Sequence, residues 1–565
     1  MHHPHRQTAA ANARPSFELA AVAGAALLFA LSCGSARAFE FDTGNPDLSV
    51  RWDNTVRYNY ANRVENRDSK IGNSAVSDEG TYSFNKGQTV ANRLDLLTEL
   101  DVSWRKRWGA RVSAAGWYDD AYGSVSRSNP NLPLSAIPSY INNRYSDYTQ
   151  RFYHGPSGEV LDAFVFGGFD LGEVPVNAKL GRHSLYLGES LFLGGNMHSV
   201  AYAQNPLDLQ KGFATPGVEA KELFRPLNQV SGQAQITDTL SVAAQYMLEW
   251  ESYRYPEGGT YLGPVDFAFN GPDRQFLSQQ LGFASRGTPS EPKQRGEGGV
   301  SARWSPDWLD GTLGFYYRNF ADKLPQTFIT QAARNASRYN LIYTDDIDLY
   351  GVSLTKNIAG ISFGSELSYR HNTPLNSTVL GIAPGLPAQG ETKGPRGNTF
   401  HGLLNAVGIV PKTPLFDTAA WAAELTWSRW DKVTSGQNLF YAEGFAACAG
   451  RDKWDGCTTK DYFGAGFSFT PTWFQVWPGI DLYAPLSYAI GLKGNAATIF
   501  GGNQGNGNYS VGLGVDVQQK YRFDLKYIDY LGHYRDNGTA VTTQNGFTTL
   551  LKDRGFVSLT FKTTF

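Results

Sequence analysis

The chain ends on Arg554-Gly-Phe-Val-Ser-Leu-Thr-Phe-Lys-Thr-Thr-Phe565, and this stretch decides how the rest is read. Val557, Leu559, Phe561 and Phe565 fall on one face, while Ser558, Thr560, Lys562 and Thr564 fall on the other. That is the period-2 alternation of a strand in a sheet with one apolar side. A buried terminal strand of a soluble sandwich has the same pattern, so the remaining chain must discriminate.

An alternating strand with an aromatic end resembles the assembly signal of outer-membrane β-barrels, with Phe561 and Phe565 as its aromatic marks for the barrel-assembly machinery. At the other end, Arg6 and Arg14 precede an apolar run over 19–31, followed by the small-x-small pattern Ala36-Arg37-Ala38. This predicts a cleavable secretory signal over 1–38, cut between Ala38 and Phe39, and a mature chain of 39–565. The apolar run is too short to span a bilayer as a helix, and no later stretch offers the ~20 apolar residues a helical span needs. Cys33 raises a lipoprotein reading, but Leu31 sits one position too close to it.

A net charge of −2 argues against a nucleic-acid partner, which calls for a basic excess. Mean hydropathy is negative, as expected of a barrel in which half of each strand faces a polar lumen. With 30 Tyr, 34 Phe and 13 Trp, the chain carries the rings needed for aromatic girdles at two lipid interfaces. Beyond the leader only Cys448 and Cys457 remain, and in an oxidising compartment a disulfide closing a short loop is favoured over two free thiols. Two cysteines without a neighbouring histidine supply too few ligands for a structural zinc.

Strand patterns recur. Leu48, Val50, Trp52, Val56 and Tyr58 alternate with Arg51, Asp53, Thr55 and Arg57; Leu94, Leu96, Leu100 and Val102 alternate with Arg93, Asp95, Glu99 and Asp101. Similar runs lie at 361–369, 421–427, 511–517 and 521–527, and 437–444 is a weak candidate. The links between them alternate in length. Long links fall at 61–90, 122–160, 188–227, 252–295, 321–345, 371–418 and 532–553, with short turns such as 105–109, 171–174 and 358–360 between. Short turns on one side and long loops on the other are the habit of outer-membrane barrels, and this arrangement returns both termini to the periplasm. The expected fold is a transmembrane antiparallel up-and-down β-barrel of about eighteen strands, with sixteen as the next choice, in the bacterial outer membrane and in contact with its lipids.

The segments Gly181-Arg182-His183, Gly188-Glu189-Ser190, Asn205-Pro206-Leu207-Asp208 and Pro216-Gly217-Val-Glu219-Ala-Lys221-Glu222-Leu223, together with Leu248-Glu249-Trp250 and the opening Phe41-Asp-Thr-Gly44-Asn45-Pro46, resemble the domain of unknown function 1302 family of Gram-negative outer-membrane proteins. The likeness extends over nearly the whole mature chain. A tryptophan commonly precedes the Gly-Glu pair in that family, and Leu187 stands there here. The resemblance implies an outer-membrane barrel, with a lipoprotein-sorting-like protein and a resistance-nodulation-division-type exporter as partners, and traffic in lipids or other hydrophobic compounds. It sets no substrate.

The link 188–227 is the most unusual, combining Gly188, Gly194 and Gly195 with Asn205-Pro206 and a stretch, 218–224, suited to a short helix. Irregular backbone at membrane depth is tolerated only when buried in protein or lining a wet cavity. Inward folding as a lumen constriction is the favoured reading, with an ordinary external loop as the alternative. Candidate lumen or constriction residues are Arg51, Arg57, Arg93, Asp95, Glu99, Asp101, Arg182, Glu189, Asn205, Asp208, Glu219 and Lys221; mixed charges of this kind more often pair across strands than select a solute. Rings recur in the expected loops at 253–261, 267–269 and 473–477. His183 and Ser184 are adjacent and so point to opposite faces of a strand, which rules out a dyad on regular backbone. Asp345-Asp346-Ile-Asp348 reads as a solvated rim in preference to a calcium site. No nucleotide or zinc-protease motif is present, so neither an enzyme nor a cofactor is expected. The expected function is an outer-membrane channel for passage or docking of hydrophobic or lipid-like compounds; the alternatives are a general porin for small hydrophilic solutes and a structural or adhesive barrel.

Overall fold

In the computed structural model, described over residues 39–123, 129, 132, 138–215, 218, 220–267, 269–330, 333–378, 381–382 and 386–565, eighteen antiparallel strands close into one barrel. The expected leader 1–38, with Ala38, and the candidate Glu219 lie outside the described residues. The strands are β1 (Leu48–Arg63), β2 (Thr89–Trp104), β3 (Trp108–Asp119), β4 (Ser157–Leu171), β5 (Val174–His183) and β6 (Leu227–Gln235). The wall continues through β7 (Leu240–Met247), β8 (Gly298–Trp304), β9 (Gly311–Phe320), β10 (Ile347–Ile358), β11 (Ile361–Pro374) and β12 (Arg396–Val410). It is completed by β13 (Thr418–Ser435), β14 (Asp461–Trp477), β15 (Ile480–Tyr483 and Leu486–Lys493), β16 (Gly507–Val517), β17 (Tyr521–Leu531) and β18 (Phe556–Thr564).

Closure uses the terminal strand. β18 pairs with β17 on one side and with β1 on the other, from Thr55 opposite Thr564 to Arg63 opposite Phe556. Beyond it, Phe565 and Asn54 exchange both backbone hydrogen bonds, at 2.7 and 2.9 Å. Every strand therefore has two neighbours, and no edge is left to offer unpaired amides to the lipid.

Alternation sorts the side chains into two populations. Leu96, Leu100, Val165, Leu180, Val300, Leu404, Leu425, Leu513 and Leu559 are exposed on the outside, whereas Arg57, Arg93, Asp95, Arg318, Glu366, Arg370 and Glu424 are buried on the inside. Exposed Trp52, Trp104, Trp108, Trp304, Trp308 and Trp477 cluster at one end of the strands, and exposed Tyr60, Tyr246, Tyr317 and Tyr350 at the other. An apolar band between two aromatic girdles, on a closed barrel with an even strand number, is that of a single-chain bacterial outer-membrane protein.

Long loops and short turns alternate around the barrel. The turns are 105–107, 172–173, 236–239, 305–310, 359–360, 411–417, 478–479 and 518–520, and the longer links all start from the opposite end, the extracellular one by the habit of such barrels. Three sequence expectations change. The link 371–418 contains a strand, β12, whose first half, Arg396-Gly-Asn-Thr-Phe-His401, lacks clean alternation because its inner neighbours are buried polar groups. Residues 437–444 form a 3₁₀ turn over Gln437–Leu439 and irregular backbone, since Gly436 in the left-handed region ends the strand. The rings at 473–477 belong to the periplasmic end of β14, not to an outer loop. Above the barrel, residues 274–278, 282–286, 326–330, 337–342 and 381–382 build a five-stranded sheet from three different loops. A disulfide joins Cys448 and Cys457 within loop 436–460, and Arg535 from the last loop holds that turn through Asp452 and Asp455 at 2.8 and 3.1 Å.

Candidate functional site

The link between β5 and β6 runs across the lumen. It is irregular apart from three short helices, Leu193–Asn196, Leu209–Ala214 and Ala220–Leu223, so most of its backbone polar groups need partners from elsewhere. The barrel wall provides them by charge. Carboxylates take the amides: Glu366 on β11 accepts from Val200 N–H at 2.7 Å and also from Glu189 N–H, and Glu424 on β13 accepts from Leu191 and Phe192 N–H at 2.8 and 3.3 Å. Guanidinium groups take the carbonyls. Arg318 on β9 donates to the Val200 and Tyr202 oxygens at 2.9 and 2.7 Å, and Arg370 on β11 donates to those of Met197 and Ser199 at 2.9 and 3.2 Å. Such ionic hydrogen bonds are the strong class, contributing ~1.5–3 kcal/mol each.

Two glycines permit this approach. A Cβ on Gly188 would stand 2.3 Å from Glu366 Oε1, and Gly188 has a φ of +74° that other residues rarely adopt. A Cβ on Gly195 would stand 1.9 Å from Glu424 Oε1. Behind the clamp, Val200, Tyr202, Leu207, Phe320, Ile347 and Leu349 form the largest buried apolar cluster, and Tyr202 Oη donates to Asp322 at 2.8 Å. His198 stacks on His401 of β12, with 3.0 Å between their Nδ1 atoms.

The same segment reaches the opposite wall. Arg57 on β1 makes a two-pronged pair with Glu222 at 2.8 and 3.1 Å and lies 3.4 Å from Asp95. Arg93 pairs with Asp95 at 3.0 Å, and Lys221 pairs with Glu99. Asp208 caps the helix Leu209–Ala214 by accepting from Lys211 N–H at 3.0 Å, and Arg254 bridges Asp208 and Glu159 at 3.0 and 2.7 Å. The candidates Arg57, Arg93, Asp95, Glu99, Asp208 and Lys221 are thus all paired, in three groups along this wall. Arg51 and Asp101 sit toward the periplasmic end, bound to Asp53 and Arg111 at 2.8 and 2.6 Å. Asn205 braces the segment itself, donating to the Leu185 oxygen at 2.6 Å, and the Glu189 carboxylate faces Arg303 at 3.5 Å. Arg182 is not in the lumen: it shares the outward parity of Leu180 at the extracellular end of β5, and pairs with Glu249 and Glu251 at 2.7 and 2.8 Å. His183 points inward to Ser231 Oγ, 2.7 Å away, while Ser184 bonds the Phe224 oxygen.

Arg318, Glu366, Arg370, Glu424 and His401 are the partners that sequence reasoning missed. Inward parity was their signal: Glu366 flanks the outward Leu367, and Glu424 flanks the outward Leu425, within strands already recognised.

The segment divides the interior unequally. Against β1–β4 the packing is tight around Arg93, Trp117 and Lys211, with a residual space of about 30 Å³. Against β13–β17 there is a cavity of about 830 Å³. Its wall carries inward Gly464 and Gly466 of β14 and Ala489 and Gly491 of β15. Its other sides carry Phe192, Leu193 and Met197 of the segment and Phe213, Tyr255, Phe267, Phe500 and Phe547. The charged groups on its lining are Glu424, Asp455 and Arg451.

Over the lumen, loops 64–88 and 248–297 meet through buried acids. Glu79 accepts from the amide and hydroxyl of Ser139, both at 2.6 Å, and its own N–H donates to Asp266 at 3.2 Å. Burial, then the nearby Asp266 charge, pushes Asp78 up to about 8; burial pushes Glu257 up to about 8 and Asp266 up to about 6. Glu79 is displaced upward for the same reasons. Among the described residues, no three His, Cys, Asp or Glu side chains are grouped to hold a metal ion. Asp348 accepts from Tyr317 and Asn319, both at 3.0 Å.

Three solved structures illustrate the similarities found. OccAB4 of Acinetobacter baumannii aligns over 91% of this chain and 98% of its own, at 11% identity and a TM-score of 0.39. OccD3 (OpdP) of Pseudomonas aeruginosa aligns over 94% and 93%, at 10% identity and 0.40. The outer membrane channel DcaP of Acinetobacter baumannii aligns over 94% and 99%, at 9% identity and 0.36. No curated protein matches the sequence. The profile described as protein of unknown function DUF1302 matches residues 19–565, nearly the full length, and the chain therefore belongs to the DUF1302 family.

Proposed function

We propose that this barrel is an outer-membrane channel for hydrophobic or lipid-like compounds, with the segment 184–226 as its throat. The observation that carries this reading is the 830 Å³ cavity between the segment and β13–β17, where glycine and alanine of the wall face rings from the segment and loops, with neutral polar groups such as Thr426, Asn503, Asn506 and Thr548 between them. A space of that size matches a single small-molecule site, and its apolar faces lower the cost of passing a molecule that water rejects. Glu424 and Asp455 on the wall are already engaged, and the mechanism is passive: shape and apolar contact admit the solute. The periplasmic lipoprotein-sorting-like and exporter partners implied by the family resemblance would supply direction. Neither catalysis nor a cofactor enters this reading.

The test is reconstitution of the purified chain in liposomes, measuring uptake of an apolar dye beside sugar-driven swelling and single-channel conductance. Dye flux above protein-free liposomes is expected, with sugar swelling near background and conductance raised by deleting 195–213. Conductance unchanged by that deletion would sink the throat assignment. Sugar swelling without dye selectivity would replace the reading by a general porin, and the lack of any flux would replace it by a structural barrel.

A further inference from the structure

The apolar side of the cavity is organised rather than merely greasy. Tyr255 stacks on Phe500 at 4.3 Å between ring centroids and 24° between planes, and on Phe269 at 4.9 Å and 16°. Phe547 continues the series from Phe500 at 5.5 Å and 34°. These rings come from three different loops, 248–297, 494–506 and 532–555. Near-parallel planes are the exception among the buried rings here; Phe84, Tyr122, Tyr153 and Tyr261 meet edge to face. Two members are also held in backbone that a phenylalanine avoids, Phe500 at a φ of +56° and Phe269 at +68°. Conformations of this kind persist only where the surroundings enforce them, and they gather at ligand sites. Phe500 and Phe547 line the cavity, and Phe547 is exposed to it, so the stack ends on an open ring face.

Charge narrows the occupant. Of the lining charges, Asp455 is held by Arg535 and Glu424 by the amides of Leu191 and Phe192, so an incoming ammonium finds no free counter-charge. Arg451 bonds the neutral Tyr441 Oη at 3.1 Å and keeps its positive charge open to an acid.

We propose that the open end of the Tyr255–Phe500–Phe547 stack is a binding site for a flat aromatic compound. Its ring continues the stack in place of the missing next member. This deepens the channel reading by naming a substrate class, and for its biological meaning it rests on that reading.

The experiment is equilibrium dialysis of 2-naphthol and its saturated counterpart decahydro-2-naphthol against the full chain in detergent, with Phe547→Ala and Phe500→Ala beside wild type. Heat-modifiable mobility on gels confirms that each variant is a closed barrel. Saturable 2-naphthol binding is expected, about tenfold weaker in each variant and about tenfold weaker for the saturated ring. Equal binding of the saturated ring, or binding by both variants as in wild type, overturns the proposal; Phe547→Ala decides should Phe500→Ala not fold. Flux into liposomes separates the two readings. Ring-dependent binding without flux sinks the channel and leaves the site, whereas flux without ring-dependent binding sinks the site and leaves the channel.

Discussion

Replacing Gly195 by alanine adds one methyl group at the position where the lumen segment touches the barrel wall. The new Cβ would stand 1.9 Å from Glu424 Oε1 and 2.7 Å from Oε2, well inside contact distance. The carboxylate must swing away, and in doing so it releases the Leu191 and Phe192 amides it holds at 2.8 and 3.3 Å. Ionic hydrogen bonds contribute ~1.5–3 kcal/mol each, the longer one less, and water recovers part of the loss, so the segment should be destabilised locally by about 2–4 kcal/mol. The barrel itself should remain closed, because its ladder does not include these contacts. Hydrogen exchange reads local opening directly. Protection of the amides around 189–200 should fall roughly 30- to 700-fold, at tenfold per 1.4 kcal/mol. Glu424→Ala loses the same bonds but leaves room for the methyl group, so the double variant should be no worse than Glu424→Ala alone, a strong departure from additivity. Protection within threefold of wild type in Gly195→Ala, or strictly additive effects, would refute the clamp.

Other perturbations reach different parts of the molecule. Leu425→Arg, at an outward position of β13, should destabilise the folded barrel in lipid by ~2–4 kcal/mol, measured by reversible unfolding in vesicles; a soluble-type surface would tolerate it. Serine at Cys448 and Cys457 removes a short-loop crosslink worth ~2–3 kcal/mol, so loop 436–460 should become protease-sensitive while the barrel persists. The cap acids give a pH dependence of defined sign. Asp78 and Glu257 titrate near 8 when folded and near the usual carboxylate range when unfolded, so the folded cap binds more protons in between; its stability is full below about pH 4 and declines as pH rises to 8. Exchange in loops 64–88 and 248–297, corrected for intrinsic rate, should accelerate over that window, and Glu257→Gln should flatten the response.

Much of this was legible in local pattern. Outward Leu96, Leu100 and Leu559, inward Arg57 and Asp95, the alternating link lengths and the closing strand follow from one-dimensional rules, because a two-residue period and a lipid-facing side leave few options at each position. β12 escaped detection because its first half is enclosed on both faces, with Arg396 and Asn398 held by Asn372 and by the Asp345 oxygen of a neighbouring loop, so alternation disappears. Arg182 was misplaced among the lumen candidates for a related reason: at the end of a strand, beyond the apolar band, a charge can take the outward face and pair with loop acids.

The sequence by itself determined the barrel, its terminal closure and the disulfide, since each depends on neighbours in the chain or on a repeat along it. Only the tertiary structure decided which charges hold the segment, where the open volume lies and which rings face it. Glu366 meets Glu189, Arg318 meets Val200, and Tyr255 meets Phe500 across separations that no local period encodes. Those meetings depend on how a closed wall of eighteen strands brings distant inward positions to a common interior, and that geometry exists only after closure.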